Sequence, residues 1–167
     1  MSTPLFRIVQ LSKEHNRSIR QAFSCGSVEL DEYFKKRVTQ DIRKDVAKCY
    51  VAEAEAHRVV GYYTLSAFSL RLCDLPQEQQ KRLPKYAKVP AACLGRLAVA
   101  SEYQGKGLGV ALLADAFAKC FESTLAVHAL VVEPKDETAK QFYLHHEFLH
   151  LRDSRTLFLP IKTARGL

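Results

Sequence analysis

The chain predicts an α/β domain built on a mixed sheet, and three observations carry that expectation. Apolar β-type segments alternate with segments whose apolar residues recur at helical spacing, in the order β-α-β-β-β-α-β-α-β. A continuous apolar run, Ala92 to Val99, leads through Gln104-Gly105-Lys106-Gly107-Leu108-Gly109 into an amphipathic stretch. At 167 residues and 47% hydrophobic, the chain is long enough for one proper core and too short for two, so residues 1–167 read as a single domain.

Phe6 to Leu11 reads as the first strand. Ser24 to Ser27 is a turn, with Ser27 as helix N-cap. Leu30, Tyr33, Phe34, Val38 and Ile42 then recur at helical spacing, predicting one helix from Val28 to about Lys44. Its other face carries Lys35, Lys36, Arg37, Arg43 and Lys44. Cys49 to Ala54 and Val59 to Leu70 read as an antiparallel pair across a polar hairpin turn. Asp74 to Tyr86, with Pro76 and Pro84, is a loop holding at most a short helix. Beyond the glycines, Val110, Leu113, Ala114, Phe117 and Phe121 form one apolar stripe, so a helix from about Gly107 to Phe121 should bury that face. Ala126 to Val132 is a strand, Pro134 and Asp136 introduce a helix from Glu137 to about His146, and Arg155 to Ile161 closes the order as a strand.

A net charge of +7 and a pI near 9.2 favour a polyanionic partner, with nucleic acid first and cofactor phosphates after it. The five cysteines are odd in number, scattered and without a Cys-x-x-Cys pair, which predicts reduced thiols and no zinc. His145, His146 and His150 lack a His-Glu-x-x-His arrangement, so no metal is expected. No apolar run approaches the roughly 18 residues of a bilayer span, and Met1 to Gln10 has no basic-then-apolar leader. A cytoplasmic protein away from membranes is the expectation.

The three alternate glycines let the backbone approach a ligand closely, and a helix start aims free N–H groups and a positive dipole end at one point. An anionic phosphate suits that place. A Walker loop is excluded because no Lys-Ser or Lys-Thr follows the glycines. The dinucleotide pattern G-x-G-x-x-G is not matched either.

Gln104 to Gly109 fits [QR]-x-x-G-x-[GA] and resembles the acyl-coenzyme A loop of the GNAT superfamily of N-acetyltransferases. The resemblance implies a mostly antiparallel central sheet flanked by helices, splayed between the strand at 92–99 and the strand at 126–132. It implies that acetyl-CoA meets Leu97, Ala98 and Val99 along the first of these strands, and Gln104, Gly105, Lys106, Gly107, Leu108 and Gly109 on the loop. Lys106 is either a phosphate contact or a solvated loop lysine. Tyr143 resembles the position where a phenol faces the coenzyme sulfur, as a proton donor to the departing thiolate; its partner Phe142 reads as core. Glu133 and Glu102 are the only conceivable bases, and each reads more simply as solvated. An acid without a base suits an α-amino group, whose pKa of about 7.7–8.0 leaves part of it neutral unaided.

Phe23-Ser24-Cys25-Gly26, Val60 to Leu65, Leu94 to Val99 with the loop, and Ala139 to Tyr143 together resemble the toxin acetyltransferases of bacterial toxin–antitoxin modules. That resemblance implies acetylation of the α-amine of aminoacyl-tRNA, arrest of translation, a ribbon-helix-helix-type antitoxin and a homodimer. Lys35, Lys36, Arg37 and Arg96 are the candidate tRNA contacts; each reads equally well as a solvated face or a local salt bridge. Glu147 stands where relatives place a glycine after the helix, so the turn there should differ. An acetyltransferase for a small amine, an antibiotic or a protein N-terminus remains open, as does a non-catalytic binding module.

Overall fold

The computed structural model describes residues 6–152 and 154–164. It contains β1 (Arg7–Gln10), α1 (Arg17–Gln21), α2 (Val28–Lys36), α3 (Val38–Arg43), β2 (Lys48–Glu53), β3 (Val59–Arg71), α4 (Gln77–Lys81), β4 (Lys88–Val99), α5 (Leu108–Phe121), β5 (Ala129–Val132), α6 (Glu137–His145), β6 (Leu149–His150), β7 (Leu157–Pro160) and α7 (Ile161–Ala164). The strands order as β1-β2-β3-β4-β5-β7-β6. Pairs β1–β2, β2–β3, β5–β7 and β6–β7 are antiparallel, while β4–β5 is parallel. The mixed, mostly antiparallel α/β sheet is therefore as expected. Helices α1 and α7 and the two-residue β6 are additions, too short for a periodic pattern to reveal. By contacts the chain forms two compact units, Met1–Ser66 with Gly95–Ala116 and Ala67–Leu94 with Phe117–Leu167.

The first unit centres on an aromatic core. Phe23, Tyr33, Phe34 and Tyr62 are buried with Val38, Cys49, Val51 and Ala98. Phe34 stacks on Tyr62 with ring centroids 4.5 Å apart, a contact worth about 0.5–1.5 kcal/mol beyond the area it buries. Ser27 caps α2 as expected, accepting the Leu30 N–H at 3.4 Å. The single helix expected from Val28 to Lys44 is instead two, broken at Arg37 (φ −119°, ψ −27°). The break lets α3 bury Val38 and bring Asp41 within 2.8 Å of the Tyr33 hydroxyl. No glycine or proline marks it; packing alone imposes it.

The buried face of α5 also differs from the expected stripe. Leu108, Leu112, Leu113, Ala116 and Cys120 are buried, whereas Val110, Ala114 and Phe121 are exposed. A helix apolar almost all round does not specify its inner face by pattern. Gly61 on β3 settles the matter: a Cβ there would stand 2.9 Å from Leu112 Cδ1 and 3.1 Å from the Ala98 carbonyl. Any larger residue would have to push Leu112 or the Ala98 carbonyl aside.

In the second unit, β4 and β5 pair from Ala91↔Ala129 to Leu94↔Val132, and the ladder ends there. Leu70, Leu75, Val89, Ala91, Ala129, Val131, Leu151 and Phe158 form its core. β4 starts at Lys88 rather than Ala92, running through Pro90. Proline lacks a donor but keeps its carbonyl, which takes the His128 N–H at 2.9 Å. β5 begins only at Ala129, and the last strand spans Leu157–Pro160 instead of Arg155 to Ile161.

Asp136 caps α6 by accepting the Ala139 N–H at 2.8 Å. The helix ends through Glu147, whose φ of +70° is left-handed. A side chain there costs roughly 1 kcal/mol relative to glycine. Glu147→Gly should therefore raise Tm by about 2–4 °C. Differential scanning calorimetry checks this, and an unchanged or lowered Tm would mean that other contacts of Glu147 outweigh the strain.

Candidate active site

The glycine loop lies in the first unit. A single 3-10 turn, Ser101–Tyr103, leads into it, and Gly105 (φ +75°) and Gly107 (φ +85°) take left-handed conformations. Nothing lies within 4 Å of a Cβ built on either glycine. No described hydrogen bond uses a backbone N–H from Gly105 to Val110, while the Ala111 N–H already bonds the Gly107 carbonyl. Such a run of amides, before and in the first turn of a 14-residue helix, is of the kind that suits an anion. Loop positions Gly105, Lys106, Gly107, Leu108 and Gly109 run consecutively through this stretch.

Gln104 behaves differently from the expectation of a coenzyme contact. Its Nε2 donates to the Cys25 carbonyl at 2.8 Å and the Val99 carbonyl at 2.9 Å. The amide end of the side chain is committed to the protein, so Gln104 holds the loop from behind. Lys106 places Nζ 5.6 Å from the Tyr103 ring centroid, and Arg58 approaches the same ring at 5.7 Å. Arg58 also pairs with Glu102, which removes Glu102 from consideration as a base. Glu133 is exposed at the end of β5.

On β4, Ala98 is buried in the core and Leu97 and Val99 are half-buried. Arg96 lays its guanidinium 3.5 Å over the Tyr33 ring, a cation–π contact. Burial first, then the hydrogen bond to Asp41, pushes the Tyr33 phenol far above its ordinary range, although the charge of Arg96 opposes this. Among the other candidate tRNA contacts, Lys36 pairs with Glu32 at 2.6 Å, one turn back on α2. Lys35 is half-buried, and Arg37 is exposed at the α2–α3 junction rather than on a helix face.

Tyr143 lies in the second unit, on α6. Its ring packs edge-on against Phe142 and Phe148, with centroids 5.2 Å away in each case. Only 7% of the residue is exposed, yet its hydroxyl has no hydrogen-bond partner among the described residues. Burial first, then the neighbouring Cys93, pushes the phenol well above its ordinary range. It keeps its proton throughout the physiological range and offers a preorganised donor with no internal acceptor.

None of the described cysteines is joined in a disulfide. Burial raises Cys49 strongly and Cys120 to about 11, so neither is a thiolate at neutral pH.

A side-chain cluster that the sequence did not suggest joins His15, Glu53 and His57, whose donor atoms lie within 4.8 Å of one another. The Ser12 N–H donates to His15 Nδ1 at 3.1 Å, which leaves the ring proton on Nε2, donated to Glu53 Oε2 at 2.6 Å. A metal on Nε2 would force that proton onto Nδ1, against the Ser12 N–H, so the donor set does not suit a cation. The group is a clasp between strands instead, since Arg7 faces Glu53 across the β1–β2 ladder and donates to it at 2.8 Å. Burial alone would raise the Glu53 carboxyl, but hydrogen bonds from His15, Arg7 and His57 hold it at about 2. Because its folded value is depressed, its stabilising share is complete above the ordinary value of 4.5 and drains away as pH falls toward 2. Glu53→Gln should be less stable at pH 7 and flatter over that acid window. Denaturant midpoints at neutral and acid pH test this, and parallel profiles for the two proteins would exclude Glu53 as the source.

The acetyltransferase (GNAT) family matches residues 11–148. A tRNA-acetylating toxin of Mycobacterium tuberculosis is 34% identical over 149 residues, covering 87% of this chain and 88% of the relative. The solved structure of AtaT complexed with acetyl-methionyl-tRNAfMet superposes with a TM-score of 0.87 at 28% identity, covering 96% of this chain and 98% of that one. An AtaT mutant bound to the C-terminus of the antitoxin AtaR and acetyl-CoA gives a TM-score of 0.79 at 25% identity, with 96% of each chain covered. With the amide cradle before α5 and a matching fold, the chain belongs to the acetyltransferase (GNAT) family.

Proposed function

We propose that this protein transfers the acetyl group of acetyl-CoA to the α-amine of aminoacyl-tRNA, and so acts as a translation-blocking toxin held in check by a cognate antitoxin. The observation that carries the reading is the run of unengaged amides from Gly105 to Val110, at the start of α5, in a chain whose relatives are tRNA-acetylating toxins. Acetyl-CoA supplies an activated acyl group as a thioester. The loop amides hold its pyrophosphate, and the backbone of Leu97, Ala98 and Val99 receives the pantetheine arm.

In this mechanism the acceptor nitrogen forms its bond to the acetyl carbon as the carbon–sulfur bond breaks. Tyr143 donates its hydroxyl hydrogen to the departing sulfur and is reprotonated from solvent, to which the nitrogen releases its surplus proton. Neither Glu102, paired to Arg58, nor Glu133, exposed, stands ready as base. An α-amine, already partly neutral near pH 8, needs none. Lys35 and Arg37, with the overall charge of +7, offer the tRNA backbone counter-charges, and Lys36 and Arg96 join them only by leaving Glu32 and Tyr33.

Residues 11–148 of the family match run through both compact units, which supports a single acetyltransferase domain. No helix among the described residues is long and apolar enough to cross a membrane. A tRNA substrate supports a cytoplasmic site of action. The antitoxin is of the ribbon-helix-helix type, and the toxin works as a homodimer.

Incubation with labelled acetyl-CoA and charged tRNA, followed by recovery of the aminoacyl ester, tests the reading. Label on the α-amine supports it. Label confined to polyamines, antibiotics or protein N-termini would reassign the acceptor.

A further inference from the structure

Phe23-Ser24-Cys25-Gly26 recurs in no step of the chemistry above, yet it is bonded to the coenzyme loop at two places. Cys25 accepts from Gln104 Nε2 at 2.8 Å, and Ser24 accepts the Ser101 N–H at 2.9 Å through its carbonyl. The turn is fixed from its other side, because Asp31 of α2 takes the Cys25 N–H at 2.9 Å. Gly26 makes the bend possible with a φ of +89°.

We propose that Gln104 is a positioning residue whose side chain latches the coenzyme loop to this turn, and that the latch sets the affinity for acetyl-CoA. The proposal rests on the reading of residues 104–109 as the coenzyme loop. Gln104 directly precedes Gly105, where no atom lies within 4 Å of a Cβ built on the backbone. Both hydrogens of its Nε2 are used, one on Cys25 and one on the end of β4 at Val99. The loop amides are thereby aimed from a platform built of α2, the turn and β4. An arginine would serve the same purpose as this glutamine. Each carries two donors at its tip, whereas glutamate, of the same shape as glutamine, carries none.

Titration calorimetry of the full chain with acetyl-CoA tests the latch. Gln104→Glu sets an anionic oxygen against two carbonyl oxygens and should weaken binding by about tenfold or more. Gln104→Arg restores donors and should bind within about threefold of the parent. Acetyl transfer at saturating acetyl-CoA should keep its kcat in Gln104→Glu, with the change confined to KM. Gly26→Ala strains the turn from the other side and should weaken binding too, without adding its full effect to Gln104→Glu. Should Gln104→Glu fail to fold, Gln104→Ala carries the same tenfold expectation. Parent-like affinity in the donor-less variant, or equal weakness in Gln104→Arg, would overturn the latch. Failure of the unsubstituted protein to bind acetyl-CoA would instead overturn the reading of the loop.

Discussion

Tyr143→Phe should reduce kcat for acetyl transfer by about 10²–10⁴-fold, the range of a lost general acid. The change removes one oxygen and leaves the ring between Phe142 and Phe148. Because that hydroxyl bonds to no described residue, its loss should leave Tm and the affinity for acetyl-CoA nearly unchanged. A phenol whose pKa is raised by burial, as here, gives up its proton reluctantly. On the proposed reading it assists the departing sulfur by donating its hydroxyl hydrogen, and that effect vanishes with the oxygen. Single-turnover rates with labelled acetyl-CoA measure the loss directly. A variant that retains the parent's rate would show that the sulfur finds its proton elsewhere.

Gly107→Val should abolish measurable coenzyme binding, weakening it by about 100-fold or more through a left-handed backbone forced on a β-branched residue. The backbone has two escapes, and both are costly. It keeps φ near +85° at a strain of about 1–3 kcal/mol, or it relaxes and turns the 105–110 amides away from their common focus. The added side chain meets nothing in the protein itself, since no atom lies within 4 Å of a Cβ at Gly107. The fold should therefore tolerate the change far better than the ligand does. Calorimetry against acetyl-CoA with a parallel thermal melt separates these effects. Intact binding with lowered Tm would make Gly107 a purely structural glycine.

The chain's local chemistry showed much of this in advance. The turn from Ala92–Val99 through the glycines into α5, the Ser27 and Asp136 caps and the hairpin of β2 and β3 all follow from short-range rules. Such rules act within a few residues, where φ limits, capping donors and strand alternation dominate. Failures came where two distant segments had to agree. The inner face of α5 depended on Gly61 opening space for Leu112. The break at Arg37 depended on Val38 and Asp41 finding partners outside their helix.

The candidate site divides in the same way. Spacing and residue type identified the loop and a phenol on α6, because free amides at a helix start and a protonated donor are local properties. Folding alone revealed that Gln104 spends its amide on Cys25 and Val99, and that Arg96 lies on Tyr33. It also turned His15, Glu53 and Arg7 into a clasp, with contacts up to 46 residues apart in the chain. The sequence by itself determined the fold class and where the glycine loop and Tyr143 stand in it. Tertiary structure decided which polar side chains face a ligand and which are consumed inside the protein. That choice depends on burial, and burial depends on packing between elements distant in the chain.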